Sequence, residues 1–282
     1  MHLEVNEMLD LILLPIIAFF IGIVAAMLGI GGGVFMVPAL VLLPWHALDP
    51  AVASGTSLAA IIFTSVSSTF RYMKQKRIDH LLGLALASTT IPGAFLGSYS
   101  KSLIETRLLG IIFAFFMIFV AARMLVGKRM VKEKIDVRKT GDGKTRKIID
   151  NYGNIFTYSV NIRLIPFLGL TAGFFSGLLG IGGGAVLVPA MNLGIGMPIH
   201  IATATSMFIM IFTSISGTLT NIWLNQIRFD YAVLLAAGII FGAQLGAHYA
   251  ARVSARNLQR MFGVILVIVS IRMILKFTYI AP

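Results

Sequence analysis

Two copies of one glycine-rich stretch, each at the end of an apolar run, limit what this chain can become. They are Leu28-Gly29-Ile30-Gly31-Gly32-Gly33 and Leu179-Gly180-Ile181-Gly182-Gly183-Gly184, followed at equal distance by Val37-Pro38-Ala39 and Val188-Pro189-Ala190. Glycine is among the poorest helix formers, and such a density of it ends any helix that reaches it. In hydrocarbon, a broken backbone leaves N–H and C=O groups that lipid cannot satisfy. Such a break persists only where protein buries it or a wet cavity reaches it. Each cluster is therefore either a tight packing turn or a binding site.

The runs around the clusters make hydrocarbon the relevant solvent. The chain is 57% hydrophobic and 12% charged over 282 residues, with several apolar runs of about twenty residues, the length of a bilayer crossing. This is the composition of an all-α polytopic membrane protein. Met1 to Asp10 carries Glu4, Glu7 and Asp10 but no Lys or Arg, so the first run is not read as a cleaved signal peptide. No cysteine is present, which excludes disulfides, thiolate catalysis and Cys-ligated metals. Of the 23 Lys and Arg, ten lie between Lys128 and Arg163. That concentration reads as a cytoplasmic loop held against anionic lipid headgroups, not as a nucleic-acid surface.

The chain divides into 11–126, a basic linker at 127–163, and 164–277. Pro15, Gly22 and Pro38 match Pro166, Gly173 and Pro189 at a separation of 151. Beyond a two-residue deletion, Ser57, Phe63, Gly93, Gly97, Arg107 and Arg123 match Ser206, Phe212, Gly242, Gly246, Arg256 and Arg272 at 149. An internal repeat joined by one linker is characteristic of secondary transporters. The linker itself is too polar to form a domain with its own core.

Charge indicates how the copies are oriented. The loop with Arg71, Lys74, Lys76 and Arg77 is basic, whereas its counterpart at 225–230 has one Arg and one Asp. The loop holding Lys101 and Arg107 corresponds instead to one with Arg252, Arg256 and Arg260. Basic charge thus changes loop between copies, as the positive-inside rule requires of inverted repeats. Inversion needs an odd number of crossings per half. It follows if each glycine cluster is the tip of a re-entrant hairpin, with three transmembrane helices after it. The alternative is a full crossing by the first segment, giving eight spans and parallel halves.

With inverted halves, the two tips approach one another from opposite sides. The short helices beginning at Gly33 and Gly184 then point their N-termini, with free N–H groups and partial positive charge, at the space between. Glycines let an anion come close to that backbone, so Gly31, Gly32, Gly33, Gly182, Gly183 and Gly184 are candidate substrate ligands. Ser54, Thr56, Ser57, Thr203, Thr205 and Ser206 occupy equivalent places at the next helix starts and complete an oxygen shell. The competing reading is close helix packing by small residues. Asn192 and Gln244, polar in apolar surroundings, either line the pathway or bridge helices. No Asp or Glu lies at the middle of a span, which suits an anionic cargo.

Leu-Gly-Ile-Gly-Gly-Gly, then Val-Pro, then Gly55-Thr56-Ser57 or Ala204-Thr205-Ser206, all duplicated, resembles the TauE/SafE family of sulfite exporters. Pro92-Gly93-Ala94-Phe95-Leu96-Gly97 and Phe241-Gly242-Ala243-Gln244-Leu245-Gly246 look like a further block of that family. The resemblance covers Pro15 to Leu275 apart from the linker. It implies a secondary transporter of sulfite, sulfoacetate or related sulfonates in a bacterial inner membrane, working by alternating access. It implies no cofactor and no catalytic residues. An anion channel on the same scaffold, or a membrane-embedded enzyme, are the alternatives, and homo-oligomer formation is left open.

Overall fold

The computed structural model describes residues 2–43, 47–126, 144–250 and 255–279. Within these, side chains at 2–11, 126, 144–145, 255–262 and 279 are not described. The basic stretch 127–143, Arg252 and the side chains of Glu4, Glu7, Asp10, Arg256 and Arg260 therefore lie outside the account below.

The first half comprises α1 (His2–Leu28), α2 (Gly33–Val41), α3 (Pro50–Lys74), α4 (His80–Lys101) and α5 (Thr106–Val126). A hairpin of β1 (Lys144–Ile149) and β2 (Ile155–Val160) follows. The second half comprises α6 (Ile165–Leu179), α7 (Gly184–Gly194), α8 (Ile199–Trp223), α9 (Phe229–Tyr249) and α10 (Ala255–Tyr279). Helix boundaries follow the local chemistry. Asp49 caps α3 by accepting the Ala51 amide at 2.9 Å, with Pro50 at the first position, where its missing N–H costs nothing. Asp79 caps α4 through the Leu82 amide at 3.0 Å. The breaks at the repeated clusters come from left-handed backbone, with φ of 72°, 80° and 93° at Gly29, Gly31 and Gly32 and 72°, 78° and 84° at Gly180, Gly182 and Gly183. A side chain there would clash with its own backbone.

Six described helical segments are long and apolar enough to cross a membrane: Pro50–Lys74, His80–Lys101, Thr106–Leu125, Ile162–Leu179, Ile199–Trp223 and Phe229–Tyr249. Large apolar side chains such as Phe20, Phe115, Phe241 and Leu103 point outward, a surface that hydrocarbon covers and water does not. The interior is the reverse. Ser54, Ser57, Thr64, Ser65 and Ser68 of α3, with Thr205, Ser206, Thr213, Ser214 and Asn221 of α8, are all buried.

Cross-repeat pairs hold the bundle together. Helix α9 lies on α1 so closely that a Cβ at Gly242 would sit 2.0 Å from the Phe19 carbonyl oxygen, and one at Gly246 2.1 Å from that of Ile23. The α4–α6 pair repeats this contact, with Gly93 and Gly97 at 2.5 and 2.0 Å from the carbonyl oxygens of Leu170 and Phe174. Backbone-to-backbone approach of this kind supplies dispersion contact where lipid gives no hydrophobic drive between helices. At the centre, α3 and α8 run in opposite directions. Thr56 at the start of α3 accepts the Arg228 amide at 3.0 Å, just past the end of α8, and Thr205 at the start of α8 accepts the Asp79 amide at 3.1 Å. Helices α5 and α10 are likewise antiparallel, since Arg107 Nε at the start of one donates to the Phe277 carbonyl near the end of the other at 2.9 Å.

The linker contributes more structure than its polar composition suggests. Residues 144–160 form an antiparallel hairpin with Lys144 opposite Val160 and Ile149 opposite Ile155. Its inner face, Phe156, Tyr158 and Val160, joins a buried cluster with Leu82 and Leu86 of α4 and Leu187 and Met191 of α7. Polar contacts fix it to the α3–α4 loop. Arg77 Nη2 meets Asp150 Oδ2 at 2.8 Å with both side chains almost wholly buried. Arg146 Nη1 meets Asp79 Oδ1 at 2.8 Å, and the Tyr158 hydroxyl donates to the other Asp79 oxygen. Burial pushes the Tyr158 phenol up, and its bond to the Asp79 carboxylate adds to this. For Asp150 burial acts upward, but hydrogen bonds from the Asn154 and Arg77 side chains and the Asn154 and Tyr152 amides prevail and hold its carboxyl below the usual value.

Candidate substrate site

The two glycine clusters meet inside the bundle. A Cβ on Gly33 would lie 2.2 Å from the Gly180 carbonyl oxygen, and one on Gly184 2.2 Å from that of Gly29. The carbonyls at this contact are held by serines from the central helices. Ser206 Oγ donates to the Gly29 carbonyl at 2.8 Å, and Ser57 Oγ to the Gly180 carbonyl at 2.5 Å. These two serines are repeat equivalents, so the tips are held in the same way by opposite halves.

The tip amides are the chemical resource of the site. Helix α2 starts with the Phe35 and Met36 amides on the Gly32 carbonyl, and α7 with the Val186 and Leu187 amides on the Gly183 carbonyl, at 2.8–3.0 Å. Among the described residues, no backbone hydrogen bond takes the N–H groups of Gly31, Gly32, Gly33 and Val34, nor those of Gly182, Gly183, Gly184 and Ala185. All eight residues are buried. Buried amides are almost always paired, so this cluster of donors is available to an acceptor. Two apolar side chains fill the space before them. Met210 Sδ would lie 2.7 Å from a Cβ on Gly31 and 3.1 Å from one on Gly182, and Ile61 Cγ2 3.4 and 3.0 Å. Ile61 and Met210 are again repeat equivalents.

The remaining predicted residues divide. Ser54 lies against Gly180, and Thr203 against Gly29, at the flanks of the tips. Thr56 and Thr205 are turned to the loops, where they accept the Arg228 and Asp79 amides. Asn192 Nδ2 donates to the Met197 carbonyl at 2.8 Å and closes the end of α7. Gln244 is exposed on the outer face of α9 and does not join the tips.

Three further features lie outside the candidate substrate residues. Lys101 is not in a loop but is buried at the end of α4, its Nζ donating to Ser54 Oγ and the Ala51 carbonyl, each at 3.0 Å. Its spacing from Gly93 and Gly97, four residues apiece on the close-packed face, was the available signal. Ser176 Oγ is buried without a hydrogen-bond partner, and its Cβ would lie 3.4 Å from one on Gly183. Beyond the tips, toward its C-terminal end, α3 carries Ser68 and Thr69, and α8 likewise carries Ser214, Thr218 and Asn221, each with a buried polar atom without a partner.

A duplicated helical bundle with a polar interior, an apolar exterior and broken helices meeting at its centre marks a multi-pass membrane protein. Comparison with known proteins places it further. Residues 14–273 match the family described as Sulfite exporter TauE/SafE. The chain is 32% identical over 272 residues to the probable membrane transporter protein YunE of Bacillus subtilis, covering 94% of this chain and 98% of that one. It is 28% identical over 288 residues to the probable membrane transporter protein MJ0441 of Methanocaldococcus jannaschii, covering 97% and 98%. No solved structure matches it. The chain belongs to the TauE/SafE family and is a membrane transporter, not an enzyme.

Proposed function

We propose that this transporter carries sulfite, sulfoacetate or related small sulfonates across a bacterial inner membrane by alternating access, with the anion held between the two glycine tips. The observation that carries this reading is the set of buried amides at Gly31–Val34 and Gly182–Ala185 with no backbone acceptor. Oxyanions are the ligands that helix N-termini with bare glycine amides accept best. The family's description names sulfite as the cargo of its members. Ile61 and Met210 fill the centre, which suits an occluded carrier better than an open channel.

The halves, 11–126 and 164–277, are read as inverted repeats, each a re-entrant hairpin followed by three crossings. The antiparallel courses of α3 and α8, and of α5 and α10, support this. So does the length of α2 and α7, nine and eleven residues, well short of the roughly 20 that a crossing needs. The segment 127–163 is then cytoplasmic. The test is uptake of labelled sulfite and of a small sulfonate into proteoliposomes, with and without a pH gradient. Saturable uptake driven uphill is expected, and its loss in Gly32→Leu and Gly183→Leu proteins that still insert. Equilibration without saturation would identify a channel, and retained transport in both variants would remove the tips from the site.

A further inference from the structure

The repeat makes the two tips nearly equivalent, so the places where they differ carry information. Ser54 lies beside the Gly180 tip, as its equivalent Thr203 lies beside the Gly29 tip. Only Ser54 is bonded to a cation, Lys101. The position equivalent to Lys101 is Ala250. Ser176, against Gly183, is likewise matched by Ala25, against Gly32. One tip therefore has a buried lysine and a buried unpaired hydroxyl beside it, and the other has alanine methyl groups at the matching positions.

Lys101 is placed at a cost. Its side chain is 1% exposed, and no carboxylate among the described residues lies within 4.0 Å of it. The acidic charge it feels is that of Asp49, which is exposed and already accepts the Ala51 amide and the Thr106 hydroxyl. The ammonium sits against the first turn of α3, the positive end of that helix. Two of its three donors go to Ala51 and Ser54, which leaves one unused. A buried, unneutralised charge against a like-signed helix end destabilises the empty protein. An anion arriving at the Gly180 tip would relieve it.

We propose that Lys101 is an anion-binding residue. With Ser54 and Ser176, its ammonium makes the Gly180–Gly184 tip a charged half-site, and the Gly29–Gly33 tip remains the neutral one. The proposal rests on the transporter reading given above and adds to it the source of charge selectivity. The competing role is structural: Lys101 merely ties α4 to the start of α3.

The experiment is calorimetric binding of sulfite, methanesulfonate and the uncharged dimethyl sulfone to purified full-length protein. It is run on wild type, Lys101→Gln and Lys101→Arg, with the melting temperature of each protein measured without ligand. Lys101→Gln keeps a donor for the Ala51 carbonyl but removes the charge. It should weaken sulfite and methanesulfonate binding at least about tenfold, leave dimethyl sulfone unchanged, and melt no lower than wild type. Lys101→Arg should recover anion binding to within about threefold. Wild-type binding of the anions with no loss in Lys101→Gln would overturn the role of Lys101 and leave the transporter reading intact. A fall in melting temperature that Lys101→Arg also shows would assign the structural role instead. Failure of wild type to bind either anion would overturn the anion reading itself.

Discussion

Replacing Arg77 by Met should undock the β-hairpin without unfolding the bundle. The Arg77 guanidinium and Asp150 carboxylate meet at 2.8 Å with 5% and 0% of their side chains exposed. Removing one member of such a pair costs about 3–5 kcal/mol, because the other is left buried and uncompensated. Asp150 keeps the Tyr152 and Asn154 amides and the Asn154 side chain, at 2.9–3.1 Å, so the low end, about 3 kcal/mol, applies. Opening the hairpin returns the carboxylate to water, so this penalty goes into undocking. At about 1.4 kcal/mol per factor of ten, the open population rises roughly a hundredfold. The reporter is the Asn151 amide, which donates across the interface to the Gln75 carbonyl at 3.1 Å. Hydrogen exchange in nanodiscs should show about a hundredfold loss of protection there, with α3 and α8 unchanged. Arg77→Met combined with Asp150→Asn should regain most of it, since no buried charge remains. Unchanged protection at Asn151 in the single variant would refute the argument.

Three further outcomes follow from the same geometry. The Asp150 carboxyl is held below its ordinary value when docked, so its contribution is complete above the unfolded value of about 3.9 and is lost as pH falls through the docked one. Asn151 protection, corrected for intrinsic rate, should be flat from about pH 8 to 5 and fall only below about 4. Lys76 and Asn225 are exposed repeat equivalents, both at φ 54°. Single cysteines there should react with an impermeant maleimide from opposite sides of the membrane, and same-side labelling would return the parallel arrangement. Ile61→Ala with Met210→Ala removes the two fully buried side chains that fill the space at the tips. About 2–5 kcal/mol of stability should be lost at each, with a non-saturable anion leak appearing in proteoliposomes.

How much of this was legible in the sequence depended on whether the repeat recorded it. Duplicated glycines, the serines at 57 and 206 and the helix spacings placed the tips, because each feature occurs twice at one separation. The serines were expected to face a ligand. Instead each anchors the opposite tip through a carbonyl, a partner no single-helix pattern discloses. Gln244 looked like a pathway residue because it interrupts an apolar run, but the glycines at 242 and 246 occupy the packed face and turn Gln244 outward. The hairpin was missed for a different reason. Phe156, Tyr158 and Val160 alternate as a strand should, yet the run is short and lies in a segment read whole as a basic linker. Lys101 was read with its neighbours as loop charge, and only tertiary packing buries it.

Two of these misses, the hairpin and Lys101, are departures from the repeat, and they fall on its two ends. The hairpin clasps the α3–α4 loop through Arg77 and Asp79, whereas at the matching α8–α9 loop the ion pair among the described residues is the local Arg228–Asp230 one. Lys101 lies beside the start of α3, next to that second loop, since Gly55 packs on the Gln226 carbonyl. A symmetric pair of halves, taken alone, would favour its two opposite-facing conformations equally. If the halves alternate as proposed, a docked hairpin would stabilise closure at one end by the energy of its clasp. A buried cation at the other end would make closure there depend on whether an anion is present. The two asymmetries would then act on the same conformational equilibrium: the clasp biasing it in the empty protein, and the anion shifting it by its differential affinity for the two forms. On this argument Arg77→Met and Lys101→Gln should both shift the empty protein toward the form open at the hairpin end, and so change the ratio of inward to outward transport rates in the same sense, a comparison that needs only reconstituted protein of known orientation.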